Sequence, residues 1–234
     1  MNPITVSRDR AEVRVNEFVR SVYNWMFIGL AVTGFLAYYI ADNDTAKNMI
    51  FTNRAIFWFL VIAELGLVFV ISGMINRISA GTATGLFVLF SALNGAMLSS
   101  IFVIFELDSI AKVFFICSGT FLACSVYGWT TKKDLTSLGG FLMMGLIGII
   151  IASIVNIFTQ SSALYTIISY IGVIVFVGLT AYDTQKIKNM AMTQPEGIDG
   201  AVIRKGAILG ALSLYLDFIN LFLMLLRIFG QGRD

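Results

Sequence analysis

Histidine is absent from the 234 residues. That removes the imidazole base, the commonest metal ligand and the one side chain that titrates unperturbed near neutral pH. Any proton chemistry therefore falls to carboxylates. Charge is scarce as well: Asp, Glu, Lys and Arg make up 13% of the chain, against about 25% in a soluble domain. The net charge of +2 offers nucleic acid no electrostatic footprint. There are two cysteines, Cys117 and Cys124, seven residues apart in one apolar run. About 10 Å of helical rise separates them, too far to bridge, so they read as packing thiols. Neither an HExxH zinc motif nor a GxSxG elbow occurs, and an enzyme is not expected.

What the chain has instead is apolar residues, 58% of the total with a mean hydropathy of +0.85. They are gathered into seven runs at about 22–41, 55–74, 83–105, 110–128, 140–158, 163–183 and 207–229. Each approaches the roughly 20 residues a helix needs to cross about 30 Å of hydrocarbon. The expected fold is an all-α integral membrane protein, one domain over 1–234, with the lipid bilayer as its first partner. The breaks between runs, 42–54, 75–82, 106–109, 129–139, 159–162 and 184–206, are short and polar. No cleavable signal precedes the first run, because residues 1–23 mix acids with arginines and lack a small-residue cleavage pattern. Within 1–21, Ala11, Val15, Phe18 and Val19 keep helical spacing, continued by Val22. This segment reads either as a solvated lead-in helix or as one lying in the membrane interface.

Lys and Arg set the orientation. A cytoplasmic N-terminus places eleven of them inside, Arg8, Arg10, Arg14, Arg20, Arg77, Lys132, Lys133, Lys186, Lys188, Arg204 and Lys205, and five outside. The positive-inside rule favours that arrangement. Glycines within the spans, Gly140, Gly145, Gly148, Gly172 and Gly178, are expected at close helix contacts.

Three acids interrupt the apolar runs: Glu64 in WFLVIAELGLVFV, Asp183 in VFVGLTAYDTQKIK and Asp217 in LSLYLDFINLF. An ionised group at membrane depth costs about 2.5–3.5 kcal/mol on insertion scales, and such groups mark ion and proton paths. Asp183 closes the sixth run and Asp217 lies about ten residues into the seventh, which returns from the same side. The two reach one depth if the sixth helix continues through TQKIK, which contains no helix breaker. Ser213, Asp217, Asn220, Met224 and Arg227 recur at steps of four and three, forming one partly polar stripe. Tyr182 and Tyr215 flank the acids as potential hydrogen-bond donors. Glu64 has no partner in its own segment and is expected to pair with Asn94 or a tyrosine, or to lie on an ion path.

Two like charges about 4 Å apart repel by about 4 kcal/mol at an effective dielectric near 20. That is enough for the pair to hold one shared proton near neutral pH and to titrate as a unit. Protonated, it forms a latch; deprotonated, it repels and presents hard oxygen ligands to a divalent cation. The expected site is thus Asp183 and Asp217, with Glu64, Arg77, Tyr182, Ser213, Tyr215 and Asn220 in support. No resident cofactor is expected, only a transient Ca²⁺ on the two aspartates. A retinal protein is disfavoured, since the seventh run has no lysine.

The blocks GVIVFVGLTAYDTQKIKNM (172–190) and GALSLYLDFINLFLMLLRIFG (210–230), supported by YGWTTKKDLTSLGGFLMMGLIGIIIAS (127–153), resemble the Bax inhibitor-1 family, the transmembrane BAX inhibitor motif proteins, in its bacterial inner-membrane branch. The resemblance implies a seven-helix bundle with the C-terminal helix central, wrapped by the other six. It implies a paired-aspartate pH sensor at Asp183 and Asp217, and a pH-sensitive cation leak with calcium as the cargo. Some bacterial relatives are described as partners of a membrane protease, so a regulatory protein without conduction is the alternative. In this family a base near the end of the second helix can latch onto the sixth-helix aspartate. In GMINRISAG (73–81) that base is Arg77.

Overall fold

The computed structural model describes the backbone of residues 3–195 and 197–233, and the side chains of 13–195 and 197–233. The side chains of Arg8, Arg10 and Ala11, used above, lie outside the described residues. The helices are α1 (Pro3–Asp42), α2 (Asp44–Thr52), α3 (Arg54–Gly73), α4 (Ala80–Ile104), α5 (Leu107–Thr130), α6 (Thr136–Thr159), α7 (Ser162–Met192) and α8 (Gly200–Phe229). All but α2 are long and apolar enough to span a bilayer, α1 from Val13 onward. This is an all-α, multi-pass membrane protein.

The lead-in segment and the first span form one helix, α1, unbroken from Pro3. Two boundaries differ from the sequence expectation. The polar break at 42–54 holds α2, because two asparagines punctuate it. Asn43 caps α2 by accepting the Ala46 N–H at 3.0 Å, and Asn53 caps α3 through the Ala55 N–H at 3.0 Å. The break at 184–206 is mostly helical. Nothing in TQKIKNM stops α7 before Met192, and Asp199 starts α8 early by accepting the Ala201 N–H at 2.9 Å. At about 1.5 Å per residue, the 31 residues of α7 extend about 46 Å. The helix therefore outruns the hydrocarbon, and its polar end needs no loop.

The chain forms two compact units, Met1–Ile104 with Asn189–Tyr215, and Phe105–Lys188 with Leu216–Asp234. The last helix is the most buried span: 72% of its apolar window is inside, against 11% for α3 and for α6. In the first unit, Val22 of α1 and Phe87 and Phe90 of α4 are buried with Ile208, Leu212 and Tyr215 of α8. Gly95 brings α4 against α1, since a Cβ there would sit 2.6 Å from the Thr33 carbonyl oxygen. The start of α8 is fastened by Arg204, which donates to Thr84 Oγ1 at 3.2 Å and lies over the Trp25 ring. Lys205 donates to the Ile78 carbonyl at 3.2 Å.

In the second unit, α5 and α6 pack on α7 through glycines. A Cβ on Gly128 would overlap the Ala181 carbonyl oxygen, and one on Gly139 the Tyr182 ring. Gly145, Gly172 and Gly178 make the expected close contacts, with Val175, Met224 and Leu142 respectively. Gly140 and Gly148 do not, because both face open space. In an all-apolar helix the glycine pattern alone does not say which face is covered. Gly128→Ala is expected to cost about 1–3 kcal/mol by overpacking, measured as lower thermal stability in detergent, with Gly148→Ala near neutral as the control. Large side chains left outside, such as Phe115 at 74% and Phe158 at 82% exposure, are the lipid-facing surface. In water, so much exposed apolar area would drive aggregation.

Candidate ion site

Asp217 is nine-tenths or more buried, at 5% exposure, and its Oδ2 has no hydrogen-bond partner among the described residues. The Phe218 ring packs edge-on against Phe114 at 5.6 Å and Phe121 at 5.4 Å, and Phe222 adds to the cluster. The Cys117 thiol lies 3.7 Å from the Phe218 carbonyl oxygen. Both cysteines are free and serve packing, as their spacing suggests.

Asp183 sits in the same unit, half-buried on α7. The continuation of α7 past Asp183 is the condition the sequence set for the two acids to meet. The Asp217 carboxylate interacts electrostatically with both Asp183 and Lys186, and Asp183 with Lys186. Two carboxylates and an ammonium therefore share one electrostatic neighbourhood, with α7 supplying the cation three residues after its acid. Lys186 is exposed and lies 5.9 Å from the Tyr182 ring centroid. Sequence reasoning did not single it out, although spacing of three on a helix was the available signal.

The stripe on α8 is inward over its middle. Asp217 and Met224 are buried, Ser213 and Asn220 are half-buried, and Arg227 emerges. Asn220 spends its amide on its own helix, donating to the Leu216 carbonyl at 2.8 Å. Thr180, one turn before Asp183, likewise donates to the Phe176 carbonyl at 2.7 Å. The end of α7 is pinned by three hydrogen bonds from two side chains. Gln185 accepts the Leu135 N–H and donates to the Lys133 carbonyl, each at 2.9 Å. Lys188 donates to the Trp129 carbonyl at 2.6 Å.

The tyrosines depart from expectation. Tyr182 packs against Gly139 under Lys186 and makes no hydrogen bond to either aspartate. Tyr215 belongs to the other unit, and two residues along a helix turn its side chain about 200° from that of Asp217. There it joins a polar chain through the apolar core. Thr33 donates to the Ser91 carbonyl at 2.8 Å and lies 2.6 Å from Tyr215 Oη. Tyr215 donates to Asn94 Oδ1 at 3.1 Å, and Asn94 reaches Glu64 Oε2 at 3.5 Å. Glu64 thus finds its expected partner in Asn94, while its Oε1 stays buried without one. Arg77 lies exposed in the turn between α3 and α4 of this unit, its N–H bonded to the Met74 carbonyl.

As a cation site the pair is sparse. No group of three or more His, Cys, Asp or Glu positioned for a metal occurs among the described residues. Ca²⁺ takes six to eight oxygens in a resident site. Two carboxylates with one orphaned oxygen fit an ion in passage, held with help from water, better than one kept in place.

Comparison with known proteins agrees with this architecture. The family model described as "Inhibitor of apoptosis-promoting Bax1" matches residues 15–234. The chain is 54% identical to "Inner membrane protein YbhL" of Escherichia coli K12 over 216 residues, 92% of each chain. It is 47% identical over 232 residues to a protein of Borreliella burgdorferi, covering 99% of each, and 41% identical over 234 residues to one of Deinococcus radiodurans, covering 100% of this chain and 98% of the relative. With seven spans and a match over nearly its full length, the chain belongs to the Bax inhibitor-1 family.

Proposed function

We propose that the protein is a pH-sensitive cation leak pathway of the bacterial inner membrane, with Ca²⁺ as the natural cargo and a cytoplasmic N-terminus. The observation that carries this reading is the buried, unpartnered oxygen of Asp217, whose carboxylate interacts electrostatically with that of Asp183. A buried carboxylate with an oxygen that accepts no hydrogen bond is costly to keep. Sharing one proton with Asp183 relieves that cost, and losing the proton converts the pair into a repelling, cation-attracting site. Lys186 beside them offsets part of the negative charge once the proton has left. The purified protein in liposomes free of other proteins is expected to pass Ca²⁺ at a rate that changes with pH. Flux indistinguishable from that of empty liposomes at every pH tested overturns the reading.

The alternative, a regulator that binds a membrane protease without conducting, is favoured by one feature. Arg14, Glu17 and Phe18 of α1 and Gln194, Pro195 and Ile203 beyond α7 line a cavity of about 170 Å³ in the first unit. The N-terminal segment and the 185–205 stretch, the two surfaces the sequence offers for contact, thus meet there. Absence of flux together with co-purification of a protease would favour it.

A further inference from the structure

At the far end of α8 from its start, a second cavity lies within the second unit. It measures about 320 Å³ and is lined by Ser153, Asn156 and Ile157 of α6, Tyr165 and Ile168 of α7, and Arg227 of α8. We infer that this cavity binds the phosphate of a membrane phospholipid, preferring an anionic headgroup. Arg227 brings a permanent cation with five N–H groups, and no acid lines the cavity. The guanidinium carbon stands 5.0 Å from the Tyr165 ring centroid, which holds the fork by cation–π contact and leaves its edge open. Asn156 turns its Oδ1 to the Thr159 hydroxyl at 3.2 Å and the Ser161 N–H at 3.0 Å. Its amide nitrogen is left as a donor. The Ser153 and Tyr165 hydroxyls add two more O–H groups. A cavity rich in donors and empty of carboxylates selects an anion.

Location selects the source of that anion. The cavity sits where α6 ends, α7 begins and α8 closes, so it lies at the edge of the spans and at headgroup height. Tyrosine and arginine concentrate at that level. Its flanks are lipid-facing: Ile157 is 67% exposed, Phe158 82% and Ile154 52%. Acyl chains lying on these side chains would bring the phosphate to Arg227, an advantage that free phosphate lacks. The inference concerns only this end of the second unit and stands whether or not the protein conducts.

The test uses the full-length protein in mild detergent, titrated with phosphatidylglycerol and followed by native mass spectrometry. Wild type is expected to retain one lipid that survives activation. Arg227→Gln should weaken this retention about tenfold, the effect of losing about 1.4 kcal/mol. Arg227→Lys, which keeps the charge but not the fork, should fall between. Arg54→Gln, at the start of α3, should leave retention unchanged, which separates a site from general surface charge. Inorganic phosphate at equal concentration should neither bind measurably nor displace the lipid. Equal retention by wild type and both Arg227 variants overturns the inference, as does displacement of the lipid by inorganic phosphate.

Discussion

Asp217→Asn in the liposome-reconstituted protein is expected to abolish the pH response of Ca²⁺ flux. Asparagine matches aspartate in shape but cannot exchange a proton or carry charge. Asp183, whose carboxylate interacts with that of Asp217, is then left without a second carboxylate with which to share a proton. One shared proton changes the ratio of the two states by at most about tenfold per pH unit. Wild-type flux is therefore expected to move by up to that factor on the steep part of its profile, while the variant stays flat. The substitution also removes a buried acid with an unpartnered oxygen, so a loss of thermal stability is not expected to accompany the loss of response. A variant whose pH profile overlays that of wild type would remove Asp217 from the gate.

Tyr215→Ala is expected to be the most damaging substitution for the first unit. The side chain is fully buried and packs edge-on against Phe87 at 6.0 Å and Phe90 at 5.5 Å. Truncating such a ring costs about 3–5 kcal/mol, as lost burial plus an unfilled cavity. Tyr215→Phe keeps the ring but strands Asn94 and leaves Thr33 without its 2.6 Å contact. That variant is expected to cost about 1–3 kcal/mol. Thermal unfolding in detergent separates the three cases, with Phe115→Ala as the lipid-facing control at 74% exposure. If Tyr215→Ala melts no lower than that control, the polar chain and its aromatic seat do not organise the core.

The sequence made some of this visible for identifiable reasons. Spans are legible because hydrocarbon thickness dictates run length. Asp217 is legible because charge in such a run is expensive. The length of α7 follows from the absence of any breaker in TQKIKNM. What was not legible depends on which way a side chain faces. Where every neighbour is apolar, no polar–apolar contrast marks the inner face. Tyr215 therefore read as a neighbour of Asp217 when it serves another core, and Gly140 read as a contact when Gly139 makes it. The short helix α2 escaped because its caps, Asn43 and Asn53, lie in a stretch whose polarity reads as loop. Lys186 escaped because a lysine at the end of a span reads as an orientation signal before it reads as a neighbour of an acid.

On the proposed reading, Asp183 and Asp217 act as one proton-sharing gate. The measurement that bears on it most directly is Ca²⁺ flux against pH in liposomes for wild type, Asp183→Asn, Asp217→Asn and the double variant. One shared site predicts that either single substitution flattens the profile, and that the double variant looks like either single. A profile that survives one substitution and is lost only when both are made would show two independent titrations, and would contradict the account.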